Sequence, residues 1–189
     1  MDEHSTVGSG QLVYIVGPSG AGKDSIIRLT KEKISKNTNI VFALRYVTRQ
    51  TEYENEEIEI SHSEFNLLLK SQFFCMHWQA HDLSYGVSKR IETFLKYNKT
   101  VIVNGSRQYI PTALQRFPFM KIVLIQVSAA IAISRLEQRG REDQQHIMQR
   151  MQRDSKIEAP EELIYTIDNS GPIEEASSKL LDYLIGLQA

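Results

Sequence analysis

The sequence predicts an α/β protein, a mainly parallel sheet with helices on both faces, carrying a small inserted subdomain and a lid. Three observations lead there. Short apolar, β-branched runs alternate with amphipathic stretches of helical period along most of the 189 residues. A glycine-rich turn, GPSGAGKDS at 17–25, joins the first such run to the first helical stretch. Two polar segments, one over about 50–85 and one around RGREDQQ, break the alternation.

The elements follow in order. QLVYIVG (11–17) is apolar and ends in glycine, so it reads as a buried strand. KDSIIRLTKEKIS sets Ile26, Ile27 and Leu29 at helical spacing. IVFALRYV reads as a second strand, and TVIVNG (100–105), KIVLIQVS (121–128) and IYTIDN (164–169) as further ones. SKRIETFLKY, PTALQRF, AAIAISRLEQR and PIEEASSKLLDYLIGL carry helical patterns between and after them. Within the first interruption, the acidic QTEYENEEIEISHSEF leads into a short helix, SEFNLLLK, and an aromatic strand, FFCMHWQA. Segments inserted over the carboxyl ends of parallel strands are where ligands bind in such sheets.

Composition narrows the function. Hydrophobic residues make up 41%, enough for a core, and the net charge of −1 offers no general attraction to nucleic acid. Any anion site must come from local clusters of Arg and Lys. The single cysteine, Cys75, lies in the apolar FFCMHW and reads as a buried small hydrophobe rather than a nucleophile. The first ten residues lack the apolar core of a signal peptide and are expected to be a disordered leader. No run approaches membrane-spanning length, and a cytoplasmic protein is expected.

The glycine-rich turn has the form of a phosphate-binding loop of P-loop NTPase-type sheets: Gly17, Pro18, Ser19, Gly20, Ala21, Gly22 and Lys23, between a strand and a helix. Glycines let the backbone wrap a phosphate with its N–H groups inward, the helix start adds its positive dipole end, and Lys23 supplies a point charge. The residue after the lysine is ordinarily Ser or Thr, whose hydroxyl helps hold Mg²⁺; here it is Asp24. Ser25 does not replace that hydroxyl, because adjacent helix residues differ by about 100° around the axis. A carboxylate beside phosphates is repelled unless a cation bridges them, and Mg²⁺ accepts carboxylate ligands. ATP and Mg²⁺ are the expected cofactors, with Asp24 at the metal.

SRLEQRGRE places Arg135 and Arg139 one helical turn apart, with Arg141 just beyond, and Arg150 and Arg153 share a face downstream. Phosphoryl transfer spreads negative charge over the moving group, and arginines on a closing lid would neutralise it and exclude water. Lys23, Arg135, Arg139 and Arg141 are therefore the candidate catalytic residues. Arg45, Arg49, Tyr85, Asn104, Ser106, Arg107 and Arg150 are the candidate acceptor contacts, offering guanidinium forks and hydrogen-bonding groups near strand ends, in the insert or on the lid. His77, Trp78 and His81 show no zinc-like spacing and read as packing groups.

With these motifs in place, the chain resembles the guanylate kinase group. GPSGAGK, YVTR, SYG and RLEQRG occur in that group's order over residues 11 to about 170. The resemblance fails at base recognition. The group's EWAE-like segment, whose acids read guanine, is HWQA here (77–80), and the strand ending in VNGSR lacks that group's Asp-rich turn. The chain is more similar to a branch of the group, the ribose 1,5-bisphosphate phosphokinases, in GPSGAGKDS, RYVTR, LSYGV, VIVNGSR, QVS and RLEQRGRE. That resemblance implies a single guanylate kinase-like domain over 11–189, with an acceptor-binding insert at about 50–87 and a lid at about 138–146. It also implies transfer of a phosphoryl group from ATP to ribose 1,5-bisphosphate, giving 5-phosphoribosyl 1-diphosphate and ADP. The setting would be phosphonate breakdown and the supply of diphosphate for nucleotide and NAD synthesis. The partner expected is a small sugar phosphate, not nucleic acid or a membrane, with the chain as monomer or homodimer. A nucleoside monophosphate kinase of altered base choice is the alternative. A non-catalytic binding module fits poorly, since Lys23, Arg135, Arg139 and Arg141 are all kept.

Overall fold

The computed structural model describes residues 10–34, 39–49, 56–80, 82–139 and 157–188. The described chain forms two sheets and divides into two compact units. One holds the described residues of Met1–Leu12 and Asn39–Val103, the other those of Val13–Thr38 and Asn104–Ala189. The expected leader and most of the expected lid lie outside the described residues.

The larger sheet has five strands: β1 (Leu12–Val16), β2 (Ile40–Phe42), β7 (Thr100–Asn104), β8 (Lys121–Gln126) and β9 (Ile164–Asp168). Their order is β2-β7-β1-β8-β9, and β2/β7, β1/β8 and β8/β9 pair in parallel. This is the α/β sheet the alternation predicted. Every residue of β1 is buried, as expected of a strand in the interior of such a sheet. The helices are α1 (Lys23–Lys33) after β1, α3 (Arg90–Lys96), α4 (Ile110–Arg116), α5 (Ala129–Arg139) and α6 (Ile173–Gly186). Helix α1 buries Ile26, Ile27 and Thr30, and Thr30 Oγ1 lies 3.2 Å from Ser177 Oγ on α6. That hydrogen bond lets a hydroxyl sit in an apolar interface.

The smaller sheet contains β3 (Arg45–Val47), β4 (Glu57–Glu59), β5 (Phe74–Ala80) and β6 (Leu83–Ser88), ordered β4-β3-β6-β5. Helix α2 (His62–Lys70) precedes β5 and starts on a capping box, with the Ser61 hydroxyl accepting from Glu64 N–H and the Glu64 carboxylate accepting from Ser61 N–H. The rings of Tyr46, Phe65, Phe73 and Phe74 pack together, with centroids 5.0–5.5 Å apart. Gly86 makes this possible, because a Cβ there would lie 2.5 Å from the Phe74 ring.

One expected element is corrected. IVFALRYV is not one strand but two, in different sheets. Ala43 N–H still donates to Ile102 of β7 (2.9 Å), whereas Arg45 N–H donates to Glu56 (3.2 Å), so the chain changes ladder between them at an exposed Leu44. An unbroken apolar run carries no mark of such a change of partner. Arg45 therefore opens a strand of the small sheet rather than closing one of the large sheet.

Candidate phosphate-binding and acceptor sites

The turn after β1 has the backbone that its glycines suggest. Gly20 and Gly22 adopt φ of 77° and 82°, the left-handed region that side chains disfavour. Gly22 is the N-cap of α1 and provides no capping side chain, an arrangement that suits anion binding at the helix start. A Cβ at Gly17 would collide with the Ile125 carbonyl, and one at Gly20 would lie 2.8 Å from that of Ala132. The turn is thus pressed between the end of β8 and the start of α5. Lys23 Nζ donates to the carbonyls of Gly17 (3.0 Å) and Pro18 (3.3 Å), holding its charge over the turn.

Asp24 lies in the first turn of α1, and its Oδ1 accepts from Asn104 Nδ2 at 2.5 Å. An ionised carboxylate only accepts, which fixes the orientation of the amide. Asn104 Oδ1 is buried and has no hydrogen-bond partner among the described residues. This pair fits Mg²⁺: a carboxylate and an amide oxygen are hard donors, and Mg²⁺ takes one or two carboxylates, leaving its other positions to phosphates and water. Among the described residues no group of three or more His, Cys, Asp or Glu side chains could hold a metal by itself.

Asn169, just past β9, braces the turn from behind. Its Nδ2 donates to the Ala21 carbonyl at 2.7 Å, and the residue is 1% exposed. Arg135 on α5 donates through Nη2 to the Asn169 carbonyl at 3.0 Å, while its Nη1 is buried, has no hydrogen-bond partner among the described residues and lies 3.8 Å from where a Gly22 Cβ would stand. A guanidinium with an unused buried donor beside a phosphate-binding turn suits an incoming anion. Arg135 is thereby placed at the turn. Arg139 ends α5, and its side chain lies outside the description, as do Arg141 and Arg150.

Arg107 lies in a short turn of 3₁₀ helix, Arg107–Tyr109. With Pro18, Gln126, Ser128, Asp168 and Ser170 it lines a cavity of about 740 Å³ at the carboxyl ends of β8 and β9. Burial pushes the pKa of its guanidinium below the usual arginine value. In front of it, Ser106 N–H donates to the Tyr14 hydroxyl at 3.0 Å, and Gly105 leaves the room that the Tyr14 ring occupies. Asn104 and Arg107, first read as acceptor contacts, thus lie with the phosphate-binding turn, one on Asp24 and the other in a cavity shared with Pro18.

Three of the other acceptor candidates, Arg45, Arg49 and Tyr85, come together at the small sheet. Glu57 is 3% exposed and receives Arg45 Nη2 at 2.6 Å and Arg49 Nη2 at 3.1 Å. The Arg45 guanidinium lies over the Tyr85 ring (5.8 Å), and Trp78 stacks on the same ring, with centroids 5.6 Å apart and planes 9° from parallel. The two arginines are thus oriented by one buried carboxylate of the acidic run.

Comparison with known proteins gives the lineage. The guanylate kinase family model matches residues 9–186. A ribose 1,5-bisphosphate phosphokinase from Thiobacillus denitrificans is 36% identical over 93% of this chain and 93% of its own. One from Desulfomicrobium baculatum is 37% identical over 93% of this chain and 94% of its own. The chain belongs to the guanylate kinase family, in the branch of the ribose 1,5-bisphosphate phosphokinases. The crystal structure of guanylate kinase from Anaplasma phagocytophilum superposes with a TM-score of 0.71, covering 95% of this chain and 86% of that one at 16% identity, which shows a shared fold.

Within this phosphokinase-branch chain, sequence reading missed Asn169, Tyr14 and the role of Glu57. Asn169 sits in IDNSG, where an Asn after a strand reads as an ordinary turn former. Tyr14 sits in an apolar strand, where its hydroxyl gives no sign of a partner 92 positions away. No helix among the described residues is long and apolar enough to cross a membrane.

Proposed function

We propose that this chain transfers the γ-phosphoryl group of ATP to the 1-phosphate of ribose 1,5-bisphosphate, releasing ADP and 5-phosphoribosyl 1-diphosphate. One observation carries the choice of acceptor. HWQA (77–80) offers no carboxylate to a base, and its Trp78 is stacked on Tyr85, while Arg45 and Arg49 stand ready for phosphates on Glu57. The names of the relatives point the same way.

Gly17 through Asp24 would hold the triphosphate, with Lys23 exchanging loop carbonyls for phosphate oxygens. Bound Mg²⁺ would supply positive charge across the β and γ phosphates, with Asp24 as its protein ligand. Arg135, with Arg139 and Arg141, would neutralise the moving group, and Arg150 would assist at the acceptor. Arg45, Arg49 and Tyr85 would grip the sugar phosphates, with Ser106 and Arg107 at the reacting end. No general base is required, because the attacking phosphate oxygen is already ionised at neutral pH, so catalysis reduces to alignment and charge neutralisation. The setting would be the cytoplasm, in phosphonate breakdown, with the product feeding nucleotide and NAD synthesis. ADP release measured over ribose 1,5-bisphosphate, GMP and AMP tests the reading. Turnover of the sugar bisphosphate is expected, and turnover of GMP alone would replace it with a nucleoside monophosphate kinase.

A further inference from the structure

In P-loop enzymes of the Ras and ATPase type, Mg²⁺ is held from two places, by a hydroxyl that follows the loop lysine and by an Asp on a neighbouring strand. The hydroxyl carries no charge and the strand supplies the carboxylate. In this chain the residue after Lys23 is Asp24, and the side chain that meets it from the end of β7 is Asn104. Two residues from separate elements, 80 positions apart, touch at 2.5 Å, and one is an acid while the other is an amide.

We propose that the carboxylate of the metal site has changed sides in this protein, moving from the strand to the loop, and that Asn104 is the positioning residue that makes the move workable. This rests on the ATP and Mg²⁺ reading above and goes beyond it by pairing the two positions. The total charge of the pair explains why they change together. Serine with aspartate carries one negative charge, and so does aspartate with asparagine. Aspartate at both places would put two carboxylates in contact, which repel each other and the phosphates wherever no cation lies between them. Serine with asparagine leaves the metal no carboxylate at all. Asparagine suits the new arrangement because its N–H₂ donates to Asp24 Oδ1. A carboxylate has about four lone-pair sites, so the Asn104 donor orients it while occupying only one of them. The second amide atom, Asn104 Oδ1, is buried with no hydrogen-bond partner among the described residues and is the right kind of oxygen to accept from a water of a hydrated cation.

The pairing differs from a purely structural hydrogen bond in what it predicts for the coupling between metal and nucleotide. ATP binding is measured by calorimetry with Mg²⁺ and with EDTA, in the wild type, Asp24→Ser, Asn104→Asp and the double variant. The wild type is expected to gain about tenfold or more in ATP affinity from Mg²⁺. Asp24→Ser should lose most of that gain and should bind ATP in EDTA at least as tightly as the wild type, because the repulsive carboxylate is gone. Asn104→Asp should bind ATP more weakly in EDTA. The double variant should recover the Mg²⁺ gain to within about threefold of the wild type. Should a single variant not fold, Asp24→Asn with Asn104→Asp exchanges the same two side chains, keeps their hydrogen bond, and is expected to show the recovery. A double variant no better than the poorer single, or Asp24→Ser with the full Mg²⁺ gain, overturns the pairing. Failure of the wild type to bind ATP under either condition would instead overturn the nucleotide reading on which it rests.

Discussion

The carboxamide of Asn169 is hydrogen-bonded to the main chain of Ala21, Nδ2 to carbonyl oxygen at 2.7 Å, so the residue after the last sheet strand braces the phosphate-binding turn. Both groups are buried, and Ala21 is 0% exposed. Asn169→Ala removes the donor and leaves a buried carbonyl unmatched, at a cost of about 1–3 kcal/mol. Because the turn is what shifts, the KM for ATP is expected to rise more than that for the acceptor. Denaturant melts and a two-substrate kinetic grid check this, and equal changes in both KM values would remove Asn169 from the nucleotide side.

Lys23 has a second employment besides its charge, since its ammonium ties the carbonyls of Gly17 and Pro18. Lys23→Met should lower kcat by roughly 10²–10³, the usual loss for one preorganised charge at a reacting phosphate. The thermal midpoint should move little, because the side chain is partly solvated and the replacement keeps the aliphatic stem. Stopped-time ADP release and a melting curve on the same preparation separate the two effects. Near-normal turnover would refute its role.

Glu57 predicts an ordered series in the small sheet. Its carboxylate is 2% exposed, Arg45 13% and Arg49 37%. Removing the shared, buried partner is the most costly change, so Glu57→Ala should destabilise by about 3 kcal/mol. Arg45→Ala should cost less, and Arg49→Ala, more than a third exposed, under about 1 kcal/mol. Glu57→Ala should also raise the acceptor KM with that for ATP unchanged, as both guanidinium groups lose the anchor that aims them. Equal and small costs across the series would mean that the buried carboxylate organises nothing.

These cases show what was legible in the sequence. The turn from Gly17 to Lys23 was readable because its chemistry is local: glycine where φ is positive, a lysine at a helix start, a strand before and a helix after. The alternation of β7, α4, β8 and α5 was readable because a buried parallel strand must be apolar throughout. Asn169, Tyr14 and Glu57 were not readable, because each acts through a partner brought close only by the fold. The division of IVFALRYV between two sheets was hidden for the same reason, since the change is in the ladder and not in the residues. Asn104 was legible as a polar residue at a strand end, but its hydrogen bond to Asp24, 80 positions away, was not.

The last prediction concerns alkaline stability. Tyr183 on α6 stacks on Tyr165 of β9, centroids 4.2 Å apart and planes 5° from parallel. Burial pushes the Tyr183 hydroxyl above its ordinary pKa of 10.0, and the neighbouring Tyr165 raises it further when ionised. The folded value therefore exceeds the unfolded one. Such a group contributes stability that is fully present below pH 10 and is lost as the pH rises through the folded pKa, because the unfolded chain releases the proton more readily. Tyr183→Phe keeps the stacked ring and removes the ionisation. Urea melts at pH 8 and pH 11 should show the wild type losing more stability between the two than the variant does. If both lose the same amount, the alkaline loss arises elsewhere and the Tyr183 hydroxyl is not its source.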